Sequence, residues 1–165
     1  MKTKAIALSS LFGVLIFFQK MLLPAPYDKI VSVLVQISLL SLAFLIAGFM
    51  GPILSGLISG MLTASVRGGL APLTLTLAVL YGVFVSVFNH VLGVVHDERV
   101  VRRRLIGAST VSTLLVGFIG AIVSITLGVM PYDPILIATI IVAGLVQGLL
   151  GGYFSSVIWA KYFTR

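Results

Sequence analysis

The sequence predicts an all-α, polytopic membrane protein with six transmembrane helices and both termini cytoplasmic. Composition is the first of three observations behind this expectation. Hydrophobic residues make up 59% of the 165 residues and charged residues only 9%, where a soluble domain carries about 25% charged residues. Second, the apolar runs are long and continuous, whereas membrane strands alternate polar and apolar positions over about ten residues. Third, Lys and Arg are distributed asymmetrically between alternate connections. A spanning helix takes roughly 20 apolar residues, so the chain holds about six with short connections. It is read as one integral membrane domain, 1–165.

The first helix is expected over 4–22. Met1-Lys2-Thr3-Lys4 resembles a secretory n-region, but the apolar run reaches Phe18. Gln19-Lys20 and bulky Met21-Leu22-Leu23 follow it, not a small-residue cleavage site, so the run is read as a span. Pro24 and Pro26 break it. The second helix covers 28–47, with Asp28 as a candidate N-cap. Gly48 to Pro52 forms a tight turn, and the third helix covers 51–66, about 24 Å at 1.5 Å per residue. Arg67-Gly68-Gly69 is a polar turn. The fourth helix covers 72–94. A charged loop follows, with His96-Asp97-Glu98-Arg99 and Arg102-Arg103-Arg104. The fifth helix covers 104–129. In the next turn Asp133 is a candidate N-cap and Pro134 the first residue of a sixth helix, 133–162.

Orientation follows from the cations. Lys2, Lys4, Arg99, Arg102, Arg103, Arg104, Lys161 and Arg165 fall on one side, and Lys20, Lys29 and Arg67 on the other. The richer side is expected to be cytoplasmic. The net charge of +7 is read as this bias, not as a nucleic-acid footprint. Localisation in the cell membrane as a multi-pass protein follows. Pro26-Tyr27-Asp28 and Pro131-Tyr132-Asp133 echo each other in outer loops, as interfacial tyrosines with helix caps or as two lids over a site.

Small residues four apart let helices approach closely in lipid. The third helix carries two such rows, Gly56-Gly60-Ala64 and Ser55-Ser59-Thr63, and is expected to be central. The sixth carries Gly144-Gly148-Gly152, and the fifth Ser109-Thr113-Gly117 with Gly120. In the first helix, Ala5, Ser9 and Gly13 form a row that either faces the bundle or docks a partner.

Several chemistries lack their residues. With no cysteine there is no disulfide or thiolate site. No lysine follows a glycine, so a phosphate-binding GxxxxGK[ST] loop is absent, as are HExxH and GxSxG. No enzymatic activity, metal or cofactor is expected. His90, next to Asn89, is read as an interfacial hydrogen-bonding group, with ligand or proton relay as the other reading. Asp28, Asp97, Glu98 and Asp133 all lie in loops or caps, which argues against an ion-driven pump. Uncharged polar groups instead gather in the outer half: Gln36, Thr74, Thr76, Ser124, Thr126 and Thr139, with Gln147 near mid-membrane. A pocket needs only a few convergent polar groups among apolar walls. The candidate solute-binding set is Gln36, Arg67, Thr74, Thr76, Tyr81, Tyr132 and Thr139.

Three stretches resemble the substrate-binding S component of energy-coupling factor transporters. Ala5-x3-Ser9-x3-Gly13 after a basic start is similar to that family's first-helix AxxxA pattern, with Ser and Gly where alanines are typical. Gly51-Pro52-Ile53-Leu54-Ser55-Gly56-Leu57-Ile58-Ser59-Gly60 is similar to its GPxxGxxxG stretch. Pro72-Leu73-Thr74-Leu75-Thr76-Leu77-Ala78-Val79-Leu80-Tyr81-Gly82 resembles its FTLxxALYG stretch. The resemblance implies capture of a vitamin or related small nutrient from outside. It also implies association with a membrane coupling subunit and two cytoplasmic ATPase subunits, the coupling subunit docking on Ala5, Ser9 and Gly13. Lys2 and the lack of an early His argue against the metal-ion members. The alternative reading is a non-transporting scaffold or assembly factor that docks partners through small-residue helix faces.

Overall fold

The computed structural model describes residues 3–22, 27–96 and 99–163. Six α-helices account for nearly all of it: α1 (Thr3–Leu22), α2 (Tyr27–Ala47), α3 (Met50–Arg67), α4 (Ala71–Val91), α5 (Arg102–Thr126) and α6 (Pro134–Tyr162). Four helical segments, Thr3–Leu22, Gly68–Val91, Arg102–Thr126 and Pro134–Tyr162, are long and apolar enough to cross a membrane. The apolar stretches Val31–Ala47 and Met50–Val66 are shorter. The all-helical class and the six expected helices are therefore found, with ends shifted by a few residues.

The ends have local causes. α4 stops at Val91, three residues before the expected end, because Gly93 adopts a positive φ of 58°. Its N–H bonds His90 O at 3.0 Å, closing the last turn. α6 begins as its sequence predicts: Asp133 accepts from the Ile135 N–H at 2.9 Å, and Pro134 occupies the first turn. The charged loop contains an unforeseen element. Val95–His96 (β1) and Arg99–Val100 (β2) pair as a minimal antiparallel hairpin, with Val95 opposite Val100.

α2 packs against each of the other helices, while α3 packs on α1, α2 and α4. The central helix is thus α2, not α3. The surrounding order is α1, α3, α4, α5, α6, with α1 and α6 both returning to α2. Close approach occurs where the small rows lie. A β-carbon on Gly56 would stand 2.6 Å from Ala78 O in α4. On Gly148 it would stand 2.6 Å from Thr110 Cα, and on Gly152 2.7 Å from Ile106 Cα, both in α5.

Hydroxyls join other pairs of helices. Ser55 Oγ donates to Ser9 O at 2.7 Å, linking α3 to α1. Ser41 and Ser109 share a bond of 3.0 Å between α2 and α5. Ser38 Oγ reaches Gly151 O at 3.3 Å and Ser155 Oγ reaches Ser38 O at 3.1 Å, a reciprocal clamp between α2 and α6. Leu11, Leu15, Phe18 and Leu22 of α1 are exposed, as are Leu145, Leu149 and Phe154 of α6. Polar groups inside and leucines outside suit a bundle whose solvent is lipid.

The α1 row is settled by this packing. Ser9 is fully buried, and a β-carbon on Gly13 would meet Ser55 O at 2.8 Å and Ile58 Cβ at 2.9 Å. Ala5 is half-buried. The row is interior, so the expectation that Ala5, Ser9 and Gly13 form an outward docking face is corrected: small residues lie here because α3 occupies the space.

Gly148→Leu and Gly13→Leu are expected to destabilise the bundle by about 1–3 kcal/mol or more through overpacking. Gly107→Ala, with nothing within 4 Å of the new carbon, should be neutral or raise stability by up to about 1 kcal/mol through helix propensity. Thermal unfolding of the three variants in one detergent checks the order. An unfolding midpoint for Gly13→Leu equal to wild type would reopen the outward-facing reading.

Candidate functional site

A cavity of about 580 Å³ lies among α2, α4, α5 and α6, with Lys20 of α1 at its edge. It runs from exposed Leu70 and Val129 at one end of the bundle to buried Gln36, Tyr81, Thr113 and Gln147 at its floor. Its walls are mostly apolar, supplied by residues such as Leu73, Leu77, Val116 and Ile140.

Divergence of α5 and α6 makes the space. At Gly148 and Gly152 the two backbones touch; one turn further on, a β-carbon on Gly144 would meet nothing nearer than 3.8 Å. Gly117 faces the same gap, its nearest neighbour being Ile140 Cγ2 at 3.8 Å. Both glycines line the cavity. The small residues that close the bundle at one end therefore leave room at the other.

The floor is built around a phenol. Tyr81 OH and Thr113 Oγ1 are 2.7 Å apart, and Thr113 Oγ1 donates to Ser109 O at 2.8 Å. A threonine has one hydroxyl proton, so Tyr81 is the donor to Thr113. The phenolic oxygen keeps its acceptor capacity on a side chain that borders the cavity. Gln36 is 5% exposed, lines the cavity and makes no hydrogen bond to another described residue. Thr74 and Ser124 also line it, and their hydroxyls likewise bond no described residue. The Gln36 amide is not among the fully buried, unpaired side-chain groups, which among the described residues belong to Ser9, Gln19 and Asn89. The Gln36 amide is a pair of donors and an acceptor at an opening large enough for a small solute.

The expected solute-binding residues divide by position. Gln36, Thr74 and Tyr81 line the cavity. Thr76 does not: it is exposed and donates to Pro72 O in its own helix at 2.8 Å. Thr139 is exposed and donates to Ile135 O at 2.8 Å, on a shallow apolar groove of α6. Tyr132 is 76% exposed in the connection between α5 and α6, outside the cavity lining. The Arg67 side chain lies outside the described residues, as do the Tyr27 and Asp28 side chains. His90 is exposed at the far end, its ring edge-on to Phe49 at 6.1 Å.

Thr113, Gly117 and Gly144 were not anticipated as cavity residues. A signal existed for Thr113, since a tyrosine placed deep in lipid requires a polar partner. Gly117 and Gly144 belong to small-residue rows that read as packing throughout. Among the described lining residues, Lys20 alone carries a formal charge, and it engages another group. No protein-family model, characterised protein or solved structure matches the chain.

The donor assignment at the floor is testable. Thr113→Val leaves the Tyr81 hydroxyl without its acceptor and should cost about 1–3 kcal/mol, whereas Tyr81→Phe removes the donor itself and should cost about 0.5–1.5 kcal/mol. Chemical or thermal unfolding of the two variants gives the comparison. A larger loss for Tyr81→Phe would reverse the donor and acceptor roles.

Proposed function

We propose that the protein is the substrate-capture subunit of an energy-coupling-factor-type uptake transporter for a vitamin or related small nutrient. In this reading all six helices cross the cell membrane, both termini are cytoplasmic, and the cavity opens outward. The protein has no catalytic role of its own. A membrane coupling subunit and two cytoplasmic ATPase subunits supply the energy.

The observation that carries this reading is Gln36, an unpartnered amide buried at the wall of a cavity that opens at one end of the bundle. Three features of the sequence support it. Among the described residues, the helix ends that bear Lys20, Lys29 and Arg67 lie at the cavity end, and those that bear Lys4, Arg102, Arg103, Arg104 and Lys161 at the other, the distribution expected for a cavity facing out. The chain carries no phosphate-binding GxxxxGK[ST] loop, consistent with energy from separate subunits. The Pro72–Gly82 stretch that resembles the S-component motif supplies Leu73, Thr74, Leu77, Ala78 and Tyr81 to the cavity. Since Ser9 and Gly13 are interior, a coupling subunit would meet another surface of the bundle.

The lining suits an uncharged or weakly anionic solute with an apolar body. Gln36 supplies both hydrogen-bond types, Tyr81 an acceptor, and Thr74 and Ser124 hydroxyls, while no carboxylate is present among the described lining residues.

Mass spectrometry of solute carried through gentle purification should identify a small molecule with the wild-type protein. Gln36→Leu should weaken its retention by up to about tenfold, the worth of one neutral hydrogen bond. The same change should hold or raise the unfolding temperature of the ligand-free protein. Gly117→Leu should abolish retention by filling the cavity. Equal retention by all three proteins would refute the capture site, and native pulldown yielding neither coupling subunit nor ATPase would favour the scaffold reading.

The topology has a separate check, because the chain contains no native cysteine. A Tyr132→Cys variant should react with a membrane-impermeant thiol reagent in intact cells. Arg103→Cys should react only after permeabilisation. The reverse pattern would invert the orientation.

A further inference from the structure

The end of the bundle opposite the cavity holds a second concavity, of about 550 Å³, between the hairpin, the start of α5 and the last turns of α6. Arg99, Arg102 and Lys161 line it, with Trp159 and Val157 as part of its apolar wall, and the Lys161 ammonium lies over the Tyr162 ring at 5.4 Å. No carboxylate is among the described residues that line it. Asp97 and Glu98, which separate β1 from β2 in the sequence, lie outside the described residues.

Much of this geometry is held in place. The Arg102 guanidinium lies over the Tyr153 ring at 4.3 Å, a cation–π contact that limits its freedom. Pairing of β1 with β2 sets Arg99 opposite His96. Trp159 stacks on Phe163 with ring centres 5.1 Å apart. Three like charges gathered at one hollow repel one another, and a bound anion removes that cost.

We propose that this pocket holds the phosphate group of an anionic phospholipid. Arginine forks match phosphate oxygens, and a lysine adds a point charge. A soluble phosphate presents the same oxygens. The apolar wall distinguishes the two, because Val157 continues into the exposed row of Phe154 and Leu150 along α6, where acyl chains can lie. An indole at this level also suits the boundary between headgroups and hydrocarbon.

The test uses the purified, delipidated full chain in detergent, titrated with dioleoylphosphatidylglycerol, dioleoylphosphatidylcholine or inorganic phosphate, with adducts read by native mass spectrometry. Wild type should retain the phosphatidylglycerol more tightly than the phosphatidylcholine. The Arg99→Gln/Lys161→Gln double variant should lose about 30-fold in phosphatidylglycerol affinity, at roughly fivefold per cation. The charge-keeping Arg99→Lys/Lys161→Arg variant should bind within a fewfold of wild type, which separates lost charge from lost fold. Arg103→Gln, outside the pocket, should bind as wild type does. Competition by millimolar inorganic phosphate that disappears in the double variant would overturn the lipid assignment and leave the pocket to soluble phosphate. Equal phosphatidylglycerol affinity in wild type and double variant, or an equal loss in Arg103→Gln, would overturn the site altogether.

Discussion

Helices in lipid gain nothing by hiding apolar surface from one another, so this bundle depends on how closely its backbones approach. Approach is possible only where side chains are small. Gly56 against Ala78, Gly148 against Thr110 and Gly13 against Ser55 are such points. Where Gly13 meets α3, Ser9 O comes within reach of the Ser55 hydroxyl, and where Gly151 of α6 meets Ile37 and Leu34 of α2, Ser155 bonds Ser38 O. Packing and hydrogen bonding are one device here, since a serine is both small enough to permit contact and polar enough to use it. The resulting core holds Ser41, Ser55, Ser59, Ser109 and Ser155 at zero exposure.

The same constraint accounts for the cavity. Thr76, Thr126 and Thr139, at the cavity end, bond carbonyls of their own helices. Ser38, Ser55 and Ser155 also bond carbonyls of their own helices but reach a second helix as well, whereas these threonines do not. The interhelical hydroxyl bonds described above lie at the floor or in the opposite half. With Gly117 and Gly144 contributing no volume and no neighbour nearer than 3.8 Å, helices clasped at one end diverge at the other. Gln36 stands on α2, the helix that touches all the rest, at the level where divergence begins.

The sequence made depth legible and left facing ambiguous. Six apolar runs, their proline and glycine breaks, the Asp133 cap and the shared end of the bundle at which Gln36, Thr74 and Thr76 lie could all be read along the chain. Thr74 and Thr76, however, are two residues apart, about 200° around a helix, so they could not share one wall. Thr74 falls on the arc of Leu73, Leu77, Ala78 and Tyr81; Thr76 falls opposite. Thr139 was chosen by depth in the same way and lies on the outer groove of α6. The centrality of α2 was hidden because its close contacts use Ser38 and Ser41, not glycines. The α1 row could not be oriented from its own spacing, since small residues serve an internal neighbour and an external partner equally well. Only the position of α3 separates the two.

An unpaired buried amide is normally a defect, and the surroundings of Gln36 show why it is tolerable at this place. Burying its side chain in the closed half would have set it among backbones in contact, where an unmet donor cannot relax. At the cavity wall its polar atoms border open volume, so water or a solute can meet them. Tyr81 follows the same logic with the opposite hand: its proton is committed to Thr113, and its oxygen keeps its acceptor capacity on a residue that lines the cavity. The lining is therefore incomplete by construction at a few positions and complete elsewhere. The polar groups that the bundle leaves unmet at the cavity are Gln36 on α2, Thr74 and the acceptor side of Tyr81 on α4, and Ser124 on α5.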